Sequence, residues 1–378
     1  MPRDEGVPGG MRIAGAWAWR ILAIIAAVAV VCWGLAQVSL LVIPVLIAAL
    51  ITSLTAPLVT FLTRHKWPRG LAVAVVMLLL LFTVTGLVWL AVTQLRAGYP
   101  QLQTQAFEFY ESAKEWLLNS PLQISQEDIN NFGQDVVESI RNDARTWFAS
   151  ALSWGTTAGH VVAGSLLALF STLFLLLDGR KIWEWITRLL PRNARPAVDS
   201  SARAGWTTLG TFMRVQVLVA AIDAVGIGIG AAILGLPLVI PISILVFLAS
   251  FIPFVGAIAT GFLAVFVALV TLGPVKALIM LGIVLLVQQI ESHVLQPLIM
   301  GNAVEVHPLG VVLAVTGGSI IAGIPGALFA VPLTAFVNVF VSSIASGKWR
   351  QGPEAAAAAA EQSMDDQPDP PPPADDGA

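Results

Sequence analysis

The chain has 378 residues, of which 57% are hydrophobic and only 11% are charged, and its mean hydropathy is +0.82. Soluble domains carry about a quarter charged residues, so this composition excludes an ordinary soluble protein and indicates an integral membrane protein. The formal net charge of −3 provides no basic surface for a nucleic acid. The single cysteine, Cys32, excludes an intrachain disulfide.

The N-terminal residues have two interpretations. Three arginines precede an apolar run over residues 21–36, and the end of this run resembles a signal-peptide cleavage site. Because apolar sequence resumes at Leu40 and continues to Leu62, an uncleaved first membrane helix explains the pattern better than a signal peptide does.

Apolar runs predict an all-α, polytopic transmembrane protein. A bilayer core about 30 Å thick is crossed by about 20 helical residues. On this measure there are about eight spans, at residues 17–37, 40–62, 71–95, 157–177, 214–236, 239–272, 275–296 and 309–345.

The charge distribution predicts which links face the cytoplasm. Basic residues concentrate in links 63–70 and 178–213, whereas acidic residues dominate 96–156. Under the positive-inside rule both termini are cytoplasmic, and we expect a bacterial inner-membrane location. The predicted segments are 1–16 (N-terminal tail), 17–95 (spans one to three), 96–156 (extracytoplasmic), 157–177 (span four), 178–213 (cytoplasmic interfacial link), 214–345 (spans five to eight) and 346–378 (cytoplasmic disordered tail).

The extracytoplasmic segment has helical apolar periodicity over residues 106–117 and 129–148, separated by Pro121. This pattern predicts a helical hairpin that continues spans three and four. The hairpin has two open interpretations: a gate or antechamber for a substrate, or an oligomer contact or cap.

Two predicted spans, 239–272 and 309–345, are too long for a straight crossing. Each contains an Ile-Pro break near glycine, so each is expected to be broken, tilted or re-entrant. Paired breaks of this kind indicate a transporter binding site, although kinks needed only for packing are the alternative. The candidate hinge and break residues along the chain are Pro253, Gly256, Pro297, Gly301, Gly317, Gly318, Gly323, Pro325 and Gly326.

Asp223 is a carboxylate in the middle of an apolar span. A charge at that depth costs at least about 2.5 kcal/mol, so it must face a cavity, find a partner or stay protonated. Gln216 lies seven residues earlier on nearly the same helix face, and Gly226 and Gly230 permit a close helix contact. The functional interpretation is a carboxylate that couples to protons or cations; the alternative is a protonated Asp at a helix interface.

A second polar group ends the seventh span. Gln288 and Glu291 are three residues apart, and Gln289 and His293 are four apart, so each pair shares a helix face. These side chains suit a proton relay or a polar substrate path. They suit equally a helix end in contact with interfacial water.

No chemical motif indicates an enzyme, a metal site or a cofactor. The sequence has no P-loop, no HExxH and no cysteine cluster. We therefore expect neither catalysis nor ATP-driven transport.

With these residues identified, the chain resembles the autoinducer-2 exporter (AI-2E) family of bacterial membrane proteins. The resemblance rests on QQIESHVLQPLIMG, HPLGVVLAVTGG and IAGIPGALFAVPLTA, supported by IAALITSLTAPLVTFLTRHKWPRGLAV, LLLDGRK and FIPFVGAI. It implies eight spans, a large outer link between the third and fourth, and a homo-oligomer. It also implies export of a furanosyl signalling compound, while some family members resemble sodium/proton antiporters.

The prediction is a secondary transporter, surrounded by lipid, that exports a small polar solute resembling autoinducer-2. Protons or sodium are the possible coupling ions. The alternatives are a cation/proton antiporter and, from another class, a membrane scaffold or lipid-organising protein that transports nothing.

Overall fold

A computed structural model describes residues 9–118, 159, 162–252, 255–295 and 308–347. Within these ranges the chain forms helices joined by short links and contains no β-strand, which confirms the all-α prediction. The helices are α1 (Gly9–Gln37), α2 (Ser39–Arg64), α3 (Arg69–Leu118), α4 (Val162–Arg188), α5 (Arg195–Leu234), α6 (Val239–Ala249), α7 (Val255–Leu272), α8 (Pro274–Ile290) and α9 (Pro308–Ala345), with a π-helical turn at Glu291–Leu295.

Several predicted features lie outside the described residues. They are Pro253, Pro297, Gly301, the second helix of the expected extracytoplasmic hairpin and the C-terminal tail. The first helix of that hairpin is described: α3 is continuous for 50 residues, roughly 75 Å of helix. It therefore extends well beyond the thickness of a bilayer.

Helices α2, α3 and α4 pack together through small and branched apolar side chains. Val59, Val73, Val76 and Leu176 are buried in one cluster. The Arg69 guanidinium at the start of α3 donates to the Leu176 carbonyl of α4, at 3.3 and 2.9 Å. This contact fixes the start of α3 beside the second half of α4.

Helix α5 is the central element, since α2, α6, α8 and α9 all pack on it. Its glycines allow close approach. A Cβ at Gly226 would lie 3.1 Å from Val287 of α8, and one at Gly230 would lie 2.5 Å from Ile283. The GxxxG pair thus faces α8, as a close helix contact requires.

Helices α6 and α7 form an antiparallel hairpin where the sequence predicts a broken span. A Cβ at Gly256, at the start of α7, would collide with the Ala249 carbonyl at the end of α6. Further from the tip, Val246 and Ala264 are buried in the same apolar cluster. With 11 residues, α6 is roughly 16 Å long, which is about half the hydrocarbon thickness.

Helix α9 is also a hairpin. Ala322 and Gly323 have non-helical backbone angles, and Gly323 adopts φ 60° and ψ −141°. Gly318 and Gly326 touch backbone to backbone across this turn, so a Cβ on either would collide with the carbonyl of the other. The two halves of α9 therefore lie side by side, although by length and composition alone α9 counts among the six described helices that could cross a membrane.

The second half of α9 runs antiparallel to α5. The Ser201 hydroxyl donates to the Ser343 hydroxyl at 3.0 Å, and Gly205 lies against Phe336. Nearer the turn of α9, Phe329 packs in a cluster with Phe212. The turn of α9 thus approaches the middle of α5.

The α6–α7 hairpin approaches α5 from the opposite end. Gly228 of α5 lies against Ser243, whereas Gln216 contacts Ser250. Ile252, just beyond α6, packs against the α9 cluster that contains Val315 and Ala327. The turns of the two hairpins therefore meet beside the middle of α5.

Candidate functional site

Asp223 lies on α5 at the level where the hairpin turns meet. It is 11 residues before the end of α5, roughly 16 Å along the helix. Its side chain is only 3% exposed, and its Oδ1 atom has no hydrogen-bond partner among the described residues. A buried, unsatisfied carboxylate oxygen is unusual and requires an explanation.

The end of α6 supplies polar groups around Asp223. The Ser250 side chain lies next to the Asp223 carboxylate, and its hydroxyl donates to the Val246 carbonyl at 2.7 Å. The Gln216 amide donates to the Ser250 carbonyl at 2.7 Å. The Gln216 side chain thus holds the end of α6 against α5, with Ser250 beside Asp223.

The end of α8 brings a second carboxylate to the same place. Glu291 is half-buried, and its carboxyl group lies near that of Asp223, since the π-helical turn contacts α5. It begins the π-helical turn Glu291–Leu295. π-helical turns occur frequently at functional sites. The backbone conformation at Glu291 therefore supports a functional role for this position, as the polar side chains do. We call Gln216, Asp223, Ser250 and Glu291 the junction.

The junction is acidic and lacks a basic partner in the part of the chain that the structure describes. No ion pair there involves Asp223 or Glu291. Arg214, two residues before Gln216, instead donates to the Gly210 carbonyl of its own helix at 2.9 Å. No group of three or more potential metal-ligating His, Cys, Asp or Glu side chains occurs in these ranges.

The polar residues at the end of α8 differ in their exposure and in their distance from Asp223. Gln288 is half-buried, whereas Gln289 and His293 are exposed, and the His293 ring lies 3.3 Å from the Gln289 carbonyl. Only Glu291 of this group is placed beside Asp223.

Sequence reasoning overlooked Ser250. A serine in an apolar helix usually bonds to its own backbone, so it carries little signal. Its position three residues before Pro253, in a segment expected to break, is the feature that could have identified it.

The described break residues lie at the two turns. Gly256 is at the turn of the α6–α7 hairpin, while Gly318, Gly323, Pro325 and Gly326 surround the turn of α9. Gly317 faces open space. Of the options left open by the sequence, the hairpin is the one that both over-long segments adopt.

This arrangement defines a class of protein: a polytopic α-helical membrane protein whose broken helices meet at buried polar groups, as they do in secondary transporters. Residues 21–346 match the family model described as AI-2E family transporter, and the chain belongs to that family. The family is one of transporters rather than enzymes.

Relatives with similar lengths support this assignment. The chain is 40% identical over 344 residues to MT0215 of Mycobacterium tuberculosis, a provisionally named transport protein, covering 91% of this chain and 94% of the relative. It is 26% identical to YueF of Bacillus subtilis, also provisionally named for transport, covering 81% and 85%. It is 23% identical to the AI-2 transport protein TqsA of Escherichia coli, covering 87% and 93%.

Proposed function

We propose that this membrane transporter is a secondary transporter that exports a small polar solute, and that the junction lies on its transport path. The observation that carries the proposal is the buried Asp223 carboxylate, whose Oδ1 has no partner among the described residues, at the meeting point of two hairpin turns. Ionisable groups inside a membrane bundle mark ion and substrate paths because their desolvation cost must be offset by function.

The two hairpins act as gates in this proposal. The α6–α7 hairpin packs on the half of α5 near Leu234, and the α9 hairpin packs on the half near Ser201. Opening one turn at a time would expose the junction to opposite sides of the membrane, which is the requirement for alternating access. Gly256 and Gly323 are the hinges at the two turns, with Gly317, Gly318, Pro325, Gly326 and the undescribed Pro253, Pro297 and Gly301 in supporting positions.

Each polar residue has a role in the path. Asp223 binds the coupling ion, a proton or sodium, with Glu291 as a second carboxylate. Gln216 and Gln288 supply amide groups for the hydroxyls of a solute. The exposed Gln289 and His293 lie at the mouth of the path.

Autoinducer-2 or a similar hydroxylated molecule is the solute we propose. The support is the name of the E. coli relative, the AI-2 transport protein TqsA, and the amide and carboxylate groups of the junction, which suit a polyol. We also propose the bacterial inner membrane as the location, with cytoplasmic termini, and a homo-oligomeric assembly.

Solute flux in proteoliposomes tests this function. The wild type and Asp223→Asn are compared under an imposed proton or sodium gradient, with Asp199→Asn as the matched control, because Asp199 lies on the same helix but bonds to Trp183 and Arg203 away from the junction. Gradient-driven flux of the solute in the wild type and the control, and none in Asp223→Asn, is the expected result. Equal solute flux in all three proteins would show that Asp223 has no role in the mechanism. Cation exchange without solute flux would show that the protein is an antiporter and not an exporter.

A further inference from the structure

A groove of about 730 Å³ lies between α3 and α4, away from the junction. Its walls are apolar and include Ala74, Leu78 and Leu81 of α3 and Leu166, Phe170 and Leu173 of α4. These two helices are also the least buried of the long apolar helices described. The groove therefore opens onto the surroundings of the bundle.

The groove spans about two-thirds of the hydrocarbon depth of one lipid leaflet. From Ala74 to Leu81 is seven residues, or roughly 10 Å of helix, compared with about 15 Å for half of the hydrocarbon core. Its end at Ala74 and Leu173 is about one turn from the contact between the Arg69 guanidinium and the Leu176 carbonyl. That contact marks where the apolar walls give way to polar residues.

Basic residues dominate the two segments of sequence that adjoin this end of the groove. Residues 64–69 and 178–184 together contain five Lys or Arg residues and two acidic residues. The acidic residues are already engaged, since Asp178 pairs with Lys181 at 2.7 Å and Glu184 with Arg180 at 2.9 Å. Arg64 and Lys66 are exposed and have no acidic partner among the described residues.

We propose that this groove binds one anionic phospholipid, with an acyl chain between α3 and α4 and the phosphate held by Arg64 and Lys66. The apolar walls suit the chain, and the excess of cations at one end selects a negative headgroup over a zwitterionic one. Trp67, which directly follows Lys66 and is 41% exposed, is placed where aromatic side chains meet lipid headgroups. The site is independent of the transport path.

Native mass spectrometry of the full chain in mild detergent tests this site. Phosphatidylglycerol and phosphatidylcholine with identical acyl chains are titrated separately, and the first retained lipid is quantified. We expect phosphatidylglycerol to bind at least about tenfold more tightly, because Arg64 and Lys66 each contribute about 1 kcal/mol toward an anionic lipid, and a tenfold change in affinity needs about 1.4 kcal/mol. Equal affinity for the two lipids would overturn the proposal.

Two kinds of variant test the contacts to the lipid headgroup and to the acyl chain separately. Arg64→Gln/Lys66→Gln is expected to remove the preference for phosphatidylglycerol, whereas Lys114→Gln, on α3 but more than 30 residues from the groove, retains it. Ala74→Phe is expected to displace both lipids by filling the groove, and Ala74→Leu to do so partially; Ala232→Phe, at an exposed alanine of α5, leaves binding unchanged.

Folding and assembly are measured in the same samples. A variant that unfolds is excluded by its melting temperature, and the milder Ala74→Leu then decides the outcome. If Ala74→Phe leaves lipid binding intact, the groove is not the site. If it instead changes the subunit number, the face between α3 and α4 is a contact between copies of this chain, and the lipid proposal is wrong.

Discussion

At the scale of single residues, burial of the Asp223 carboxyl group costs stability. Asp223 is 3% exposed and its Oδ1 lacks a partner among the described residues, so a neutral amide of the same shape removes a desolvation cost. We expect Asp223→Asn to melt at the wild-type temperature or above it while gradient-driven flux is lost. A melting temperature several degrees lower would show that the carboxylate is a structural contact instead.

Gln216, in contrast to Asp223, stabilises the fold. Its hydrogen bond to the Ser250 carbonyl joins the end of α6 to α5. Gln216→Leu removes one partly buried hydrogen bond, and we expect it to lower the free energy of unfolding by about 1 kcal/mol. Denaturant unfolding in detergent measures this change. Gln101→Leu, at an exposed position of α3, is the control and should change it little; equal changes in both would contradict the role of Gln216.

At the scale of elements, adjacent glycines in α9 provide a matched comparison. A Cβ at Gly318 would collide with the Gly326 carbonyl, whereas one at Gly317 meets nothing within 4 Å. Gly318→Ala should destabilise the protein by about 1–3 kcal/mol through overpacking. Gly317→Ala should leave stability unchanged or raise it by up to about 1 kcal/mol, because alanine favours helix. The melting temperatures of the two variants test this comparison. Similar values would mean that the close contact between the halves of α9 does not form.

The whole molecule works as a transporter, in our proposal, only if the two hairpin turns separate. Ile252 packs against the cluster that contains Ala327 across this contact. After Cys32→Ala, a disulfide in Ile252→Cys/Ala327→Cys should reduce flux to background, and a reductant should restore it. Ser201→Cys/Ser343→Cys joins α5 to the far end of α9 and should preserve flux. Unchanged flux across an oxidised Ile252–Ala327 link would contradict gating.

The sequence determines the helices of this molecule more clearly than their directions. Apolar runs predict helices at nearly every described position, and Asp223 and Glu291 stand out because a charge in hydrocarbon is costly. Their proximity was not predictable, since 68 residues of chain separate them. The breaks near Pro253 and Gly323 were predicted, but the reversal of the chain depends on packing between Gly318 and Gly326, which local composition does not encode.

The short α6 and the folded α9 also impose an order of assembly during synthesis. Eleven residues cannot span the hydrocarbon alone, so α6 depends on packing against α3, α5 and α7. The surface of α5 that receives Ser343 and Phe336 is made more than 100 residues before them. Until α9 is synthesised, the Ser201 hydroxyl lacks its hydrogen-bond partner, the Ser343 hydroxyl. The contact between α5 and the second half of α9 is therefore a late step in the folding of this chain.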